Sequence, residues 1–144
     1  MANELALLTA DKVEVVESLM QLTTVALEAI TAGAPCRIDA STGKAANGNG
    51  SDMTEGKFFG IATRTVAAGM PVTLLRRGYM DGWDLTGLNW GATIYLSDTD
   101  ARISGTAGTK AVTVGYVVPG NAEPIGTTKK KLLCVDPSLA AAIT

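Results

Sequence analysis

A chain of 144 residues, 47% hydrophobic and 18% charged, is long enough for one domain that buries roughly two-thirds of its unfolded surface, so its stability requires neither disulfides nor a metal. A net charge of −2 without a basic cluster gives no ground for nucleic-acid binding. No apolar stretch reaches the roughly 18 residues of a membrane helix, and the first residues lack the basic and apolar blocks of a signal peptide, so the protein is expected to be made and used in a cytoplasm, or assembled there into something larger.

Residues 1–22 contain no glycine or proline and carry Glu4, Asp11, Glu14 and Glu17 against Lys12 alone. Asp11 followed by Glu14 has the form of a helix start, the first accepting a backbone N–H and the second reaching back. Val13, Val16 and Met20, joined by Val15 and Leu19, then place an apolar face at i, i+3 and i+7. The valines oppose a helix because β-branching lowers helix propensity, so the segment is expected to be a short helix or an extended arm. Leu5, Leu7 and Leu8 form an apolar set near a chain end, for which a neighbouring subunit is the expected cover. Removal of residues 1–9 is therefore expected to leave the domain folded. Val13, Val16 and Met20 fit either their own domain or a partner.

From Thr23 the apolar period changes to 2. Val25, Leu27 and Ala29 alternate, and Gly33-Ala34-Pro35 turns the chain into Cys36–Asp39. A polar, glycine-rich loop is predicted at Ala45–Thr54. Strands are predicted at Phe58–Ala62, Val72–Arg76, Tyr79–Leu85, Ala92–Leu96, Val112–Val118 and Lys131–Val135, with a loop at Ser97–Thr109. Short strands every 8 to 12 residues with turn signals between them make an antiparallel barrel or sandwich. The run Ala29–Ile38 lines up with Thr65–Leu74, and a weaker copy runs from Asn89 through Gly91 to Leu96. These are read as a recurring hairpin corner rather than as a repeat protein, because the copies are short and unevenly spaced.

The sequence supplies little chemistry. Histidine is absent, which removes imidazole general bases and the commonest metal ligand. Cys36 and Cys134 match no zinc or redox spacing and read as buried free thiols. Asp98 and Asp100, and Asp81 and Asp84, read as turn residues; a hydrolase built on the second pair would need both carboxyls in one cleft with a raised pKa. Gly48 and Gly50 precede no helix signal, which a phosphate cradle requires. Tyr79, Asp81 and Trp83 are expected on one strand face and Trp90 in a turn, so a sugar-stacking platform is the minor reading and subunit-contact anchors the major one. Lys129–Lys131 reads as a solvated strand end.

The series Phe59-Gly60-Ile61-Ala62, Ala67–Gly78, Asp81–Leu85, Leu88–Thr99 and Val114–Pro119, in that order and spacing, resembles the capsid decoration (cement) proteins of tailed bacteriophages, and Ile30–Pro35 is similar to the family's first corner. The resemblance covers residues 28–120. It implies an all-β fold, a small antiparallel β-barrel or β-tulip, placed on the outside of an icosahedral head. It also implies clustering as a homotrimer that clamps neighbouring major capsid subunits, with no catalytic residues and no cofactor. On this reading residues 1–22 are an N-terminal contact arm and residues 23–144 the barrel. Leu5, Leu7, Leu8, Val13, Val16, Met20, Trp83 and Trp90 are the expected protein-contact residues. The alternative is a carbohydrate- or receptor-binding module of a phage fibre or spike, which would need Trp83 or Trp90 stacked open to solvent.

Overall fold

A computed structural model describes the chain at residues 5, 12–51, 57–120 and 131–137. The described residues contain nine strands and no helix. These are β1 (Glu14–Val25), β2 (Pro35–Ile38), β3 (Ala45–Asn47), β4 (Phe58–Ala62), β5 (Pro71–Asp81), β6 (Thr93–Leu96), β7 (Ile103–Ser104), β8 (Thr113–Pro119) and β9 (Lys131–Val135). All ladders are antiparallel, in the order β3-β2-β4-β5-β9-β8-β6-β7, with β1 laid along β5.

β5 organises the sheet. One of its edges carries β1 from Asp81 to Pro71. The other carries β4 at Leu74 and Leu75 and β9 at Gly78–Met80, so the sheet forks near Arg76. Arg76 leaves the β1 register at this fork and turns toward β4. Its guanidinium lies 4.8 Å over the Phe59 ring and donates to the Phe59 carbonyl at 2.9 Å.

The curled sheet makes a half-barrel, and backbone bonds outside the ladders tie its ends. Ala26 bridges Ala45, and the Leu27 N–H donates to the Ala45 carbonyl at 2.7 Å, bringing β3 back to the end of β1. After β3, Gly50 donates to Ser97 (2.7 Å), Ala101 to Gly48 (3.0 Å) and Lys110 to Gly50 (2.7 Å), joining that segment to the β6–β7 end. A smaller core of Ala26, Ile30, Cys36, Ala62, Val72 and Leu74 fills the first branch. A larger one around Ile61, Leu75, Met80, Ile94, Val117 and Leu133 fills the second. Sheets closed in this way leave few edges for stray pairing.

The recurring corner has a structural basis. In each copy an i-to-i+3 bond closes a turn: Ala34 to Thr31 (3.0 Å), Met70 to Ala67 (3.2 Å) and Ala92 to Asn89 (3.1 Å). The glycine before each donor holds a positive φ, 87° at Gly33, 85° at Gly69 and 77° at Gly91, which other residues adopt at a cost. The first two corners also bind each other symmetrically. Ile30 and Val66 exchange two backbone bonds; Gly33 donates to Ala62 as Gly69 donates to Ala26; Ala62 donates to Ala34 as Ala26 donates to Met70. A local two-fold axis therefore passes between Ile30 and Val66, and it generates the paired core positions Ala26 with Ala62 and Cys36 with Val72. The third corner repeats the bonding against β8, with Gly91 donating to Val117 and Val117 to Ala92.

The all-β expectation holds, with local corrections. The helix option for the segment around Val13–Met20 is replaced by β1, because the long edge of β5 offers backbone partners to Val15, Thr23, Thr24 and Val25, β-branched residues that a helix would crowd. β1 spans the Leu22/Thr23 boundary. The loop predicted at Ala45–Thr54 begins with β3, where Ala45 and Ala46 are buried by the closure; Asp52–Thr54 lie outside the described residues. The two strands predicted at Val72–Arg76 and Tyr79–Leu85 become one strand to Asp81. The loop at Ser97–Thr109 contains β7.

Candidate protein-interaction surface

β1 uses one edge for β5, and from Glu14 to Val25 its other edge meets no strand among the described residues. Its side chains are open on both faces. Val16 is 47% exposed, Leu19 62% and Met20 51%, and Leu22, Val25, Leu27 and Met70 continue the apolar strip. Bulges explain why a strand exposes apolar residues on both sides. Val16 and Leu19 are extra residues in the β1 ladder, and each extra residue inverts the in–out alternation. Ser18 hydrogen-bonds Gln21 at 3.0 Å and Thr23 hydrogen-bonds Thr73 at 2.8 Å, which stiffens the strand without covering it.

At the start of β1 the strip opens into a groove of about 420 Å³, lined by Val16, Glu17, Tyr79, Val118, Pro119 and Leu132. Glu17 stands opposite Tyr79 in the ladder, and both line the groove beside Val118, Pro119 and Leu132. No ion pair holds Glu14 or Glu17 among the described residues.

The predicted contact residues divide. Val16 and Met20 lie together on β1. Val13 is buried in the larger core, and so is Leu5, at 7% exposure and with its N–H donating to the Ile103 carbonyl at 3.0 Å. Leu7 and Leu8 lie outside the described residues. Trp83, 4% exposed, is a core residue of its own chain. It does not share a face with Tyr79 and Asp81, because Gly82 at φ 132° turns the backbone and sends Trp83 and Leu85 inward. Trp90, 47% exposed, sits at the third corner with the Lys131 ammonium 5.2 Å from its ring centroid; the same ammonium donates to the Leu88 carbonyl. One tryptophan is thus buried and the other faces a cation, which is not the open stacked platform a sugar site needs. Leu19, Leu22, Val25, Leu27 and Met70 were not among the expected contact residues. The signal of the first four was an apolar run without glycine or proline that fits neither period cleanly, while Met70 stands in the Gly69–Pro71 corner.

The carboxylates serve loops. Asp84 accepts from the Thr86 hydroxyl (2.7 Å) and N–H (3.2 Å), which hold it below the usual carboxylate range. Asp81 accepts from the Gly82 N–H at 2.9 Å. The lowering at Asp84 is opposite to the raised pKa an acid catalyst requires. Asp98 accepts from the Thr109 N–H and hydroxyl, both at 2.7 Å, and is likewise lowered, while Asp100 accepts from Asn49 at 3.0 Å. Both cysteines are free and buried.

The family model described as phage cement protein matches residues 15–131, from the second residue of β1 to the first of β9. No curated protein and no solved structure matches the chain.

Proposed function

The chain belongs to the phage cement protein family, a structural and capsid-associated family, and on that basis we propose that it binds the outer surface of an assembled phage head as a homotrimer and stabilises contacts between major capsid subunits. The observation that carries this reading is the exposure of β1: a 12-residue strand with exposed apolar residues on both faces, and with one edge unpaired among the described residues, is what a clip offers to a neighbour. In this reading residues 1–22 supply the contact arm through Val16, Leu19 and Met20, residues 23–144 supply the barrel, and Trp90 is a second contact at the third corner. A clip that binds only the assembled lattice stabilises it by mass action, by about 2.7 kcal/mol per site at a concentration 100 times Kd. Rigid closure and apolar contact points suffice for this; no reaction is needed.

The test is co-sedimentation of the purified protein with expanded heads that lack it and with unexpanded procapsids. Saturable binding to expanded heads only is the expected outcome. Equal binding to both, or to neither, overturns the reading.

A further inference from the structure

We propose that β1 is a strand-addition site: an extended segment of the major capsid subunit pairs along its free edge and places one lysine or arginine side chain in the groove beside Glu17. This rests on the head-binding reading above and goes beyond it by naming the surface, the mode and the chemistry of the bound segment.

The edge comes first. At ~3.3 Å per residue, β1 offers a track about 40 Å long of N–H and C=O groups directed away from β5. Edges of this length are usually blocked by proline, by lysine, by brevity or by bulges. β1 has no proline or lysine, and its extra residues are confined to Val16 and Leu19, which leaves residues 21–25 as a regular edge; its charges are Glu14 and Glu17, both near one end. An extended peptide added to such an edge gains affinity from main-chain bonds and specificity from pockets that take alternate side chains. The pocket lies across β1 from that edge, over β5, β9 and β8, with Val16 and Glu17 of β1 forming its near wall, so only a long side chain of an added strand reaches into it.

The pocket's chemistry selects the side chain. Val118, Pro119 and Leu132 make an apolar lining suited to a methylene stem, while the Glu17 carboxylate at the β1 side and the Tyr79 ring suit a cationic head. Glu14, also without an ion pair among the described residues, extends the acidic end. A neutral aliphatic side chain would fill the groove and leave both carboxylates without a partner.

A closed three-fold ring joins unlike patches, so an edge pairing around the ring needs a second long free edge on each chain. Among the described residues β7 has two residues and β3 three, and both already bond elsewhere through Ile103 and Ala45. The described strands of a second copy therefore offer no match for the β1 edge in a trimer, which favours a different protein.

The experiment uses the full chain with purified expanded heads lacking it, and follows amide hydrogen exchange across Glu14–Val25 in free and head-bound protein. Exchange in β1 should slow at least tenfold on heads, with smaller changes in β6 and β7. Glu17→Lys should weaken head binding tenfold or more, Glu17→Gln by less, and raised salt should narrow the gap between wild type and Glu17→Gln. Leu19→Pro should abolish binding, with circular dichroism of each variant establishing that the barrel persists. Saturable binding with β1 exchange unchanged overturns the strand-addition site and leaves the head-binding reading intact. Absence of binding overturns both. Slowed β1 exchange in the free protein that tracks its own concentration, with an even-numbered oligomer in sedimentation, overturns the proposal in favour of pairing between copies.

Discussion

Gly82 decides which way the aromatic run after β5 faces. Its φ of 132° suits glycine, and a Cβ there would stand 2.7 Å from the Val13 Cα. Gly82→Ala should therefore cost about 3 kcal/mol, from left-handed backbone strain and overpacking together, whereas Gly87→Ala, with nothing within 4 Å, should shift thermal denaturation little or slightly upward. Equal melting for the two variants would contradict the assigned backbone. The thiols make a second case. Burial, with Glu28 and Asp100 acting in the same direction, pushes Cys36 up from about 9.0 to about 12, and burial also raises Cys134. Stability contributed by the neutral thiols is fully present below about pH 9 and is lost as pH rises toward 12. The native protein at pH 8 should leave a disulfide reagent nearly unreacted, and the denatured protein should release two equivalents. β2 and β9 have β4 and β5 between them, so the cysteines are not on neighbouring strands, and both are free. Asp98 runs the other way: Thr109 lowers its pKa, so its contribution is present above about pH 4 and lost on acidification. The melting difference between wild type and Asp98→Asn should be widest near neutrality and close below about pH 4. The sequence identified these residues as turn and core types, but not Asp98's partner eleven residues away, because a side-chain bond across a loop leaves no periodic trace.

At the scale of elements, legibility followed regularity. β6 alternates without interruption, β8 alternates over most of its length and β9 is a short continuous apolar run, so their positions could be read directly. β1 could not, because its two extra residues shift the alternation and leave Val13, Val16 and Met20 at a spacing that imitates a helix. The corners were legible as turns, since the glycine fixes local geometry, while their two-fold pairing was not, since a turn sequence does not encode what its flanks will bond. The arm carries the consequence for mutation. Leu5 packs in the core and bonds to Ile103, so Leu5→Ala should cost about 2 kcal/mol or more and deletion of residues 1–9 should lower the melting temperature, against the expectation from sequence that the domain would be indifferent. Leu19→Ala, at an exposed site, should stay within about 0.5 kcal/mol of wild type in stability while reducing head occupancy. If the deletion melts like wild type, Leu5 is not holding β7 and the arm is dispensable for folding.

For the molecule as a whole, the relevant quantity is what a rigid clip adds to a shell. The two cores share β4 and β5, and the backbone bonds from Leu27 and Gly50 tie the half-barrel's ends, so the β1 strip is presented by a body with little freedom to yield. Rigidity matters because side chains and loops ordered only on binding subtract from affinity. A lattice site held this way is stabilised by RT ln(1 + [L]/Kd), a term that grows with free protein until other steps limit the shell and that acts at every equivalent position. Expanded heads titrated with the protein should therefore rupture at progressively higher temperature, by light scattering or DNA release, with the rise tracking occupancy and levelling once sites are full. Glu17→Lys should shift the titration to higher concentration by the factor it loses in affinity, and reach the same plateau where saturation is attained, because it changes occupancy rather than what an occupied site does. Unexpanded procapsids should show no rise at any concentration. A plateau lowered in proportion to the affinity loss would mean that β1 transmits the stabilisation as well as the attachment. A rupture temperature that does not move at full occupancy would mean that the protein decorates the head without cementing it.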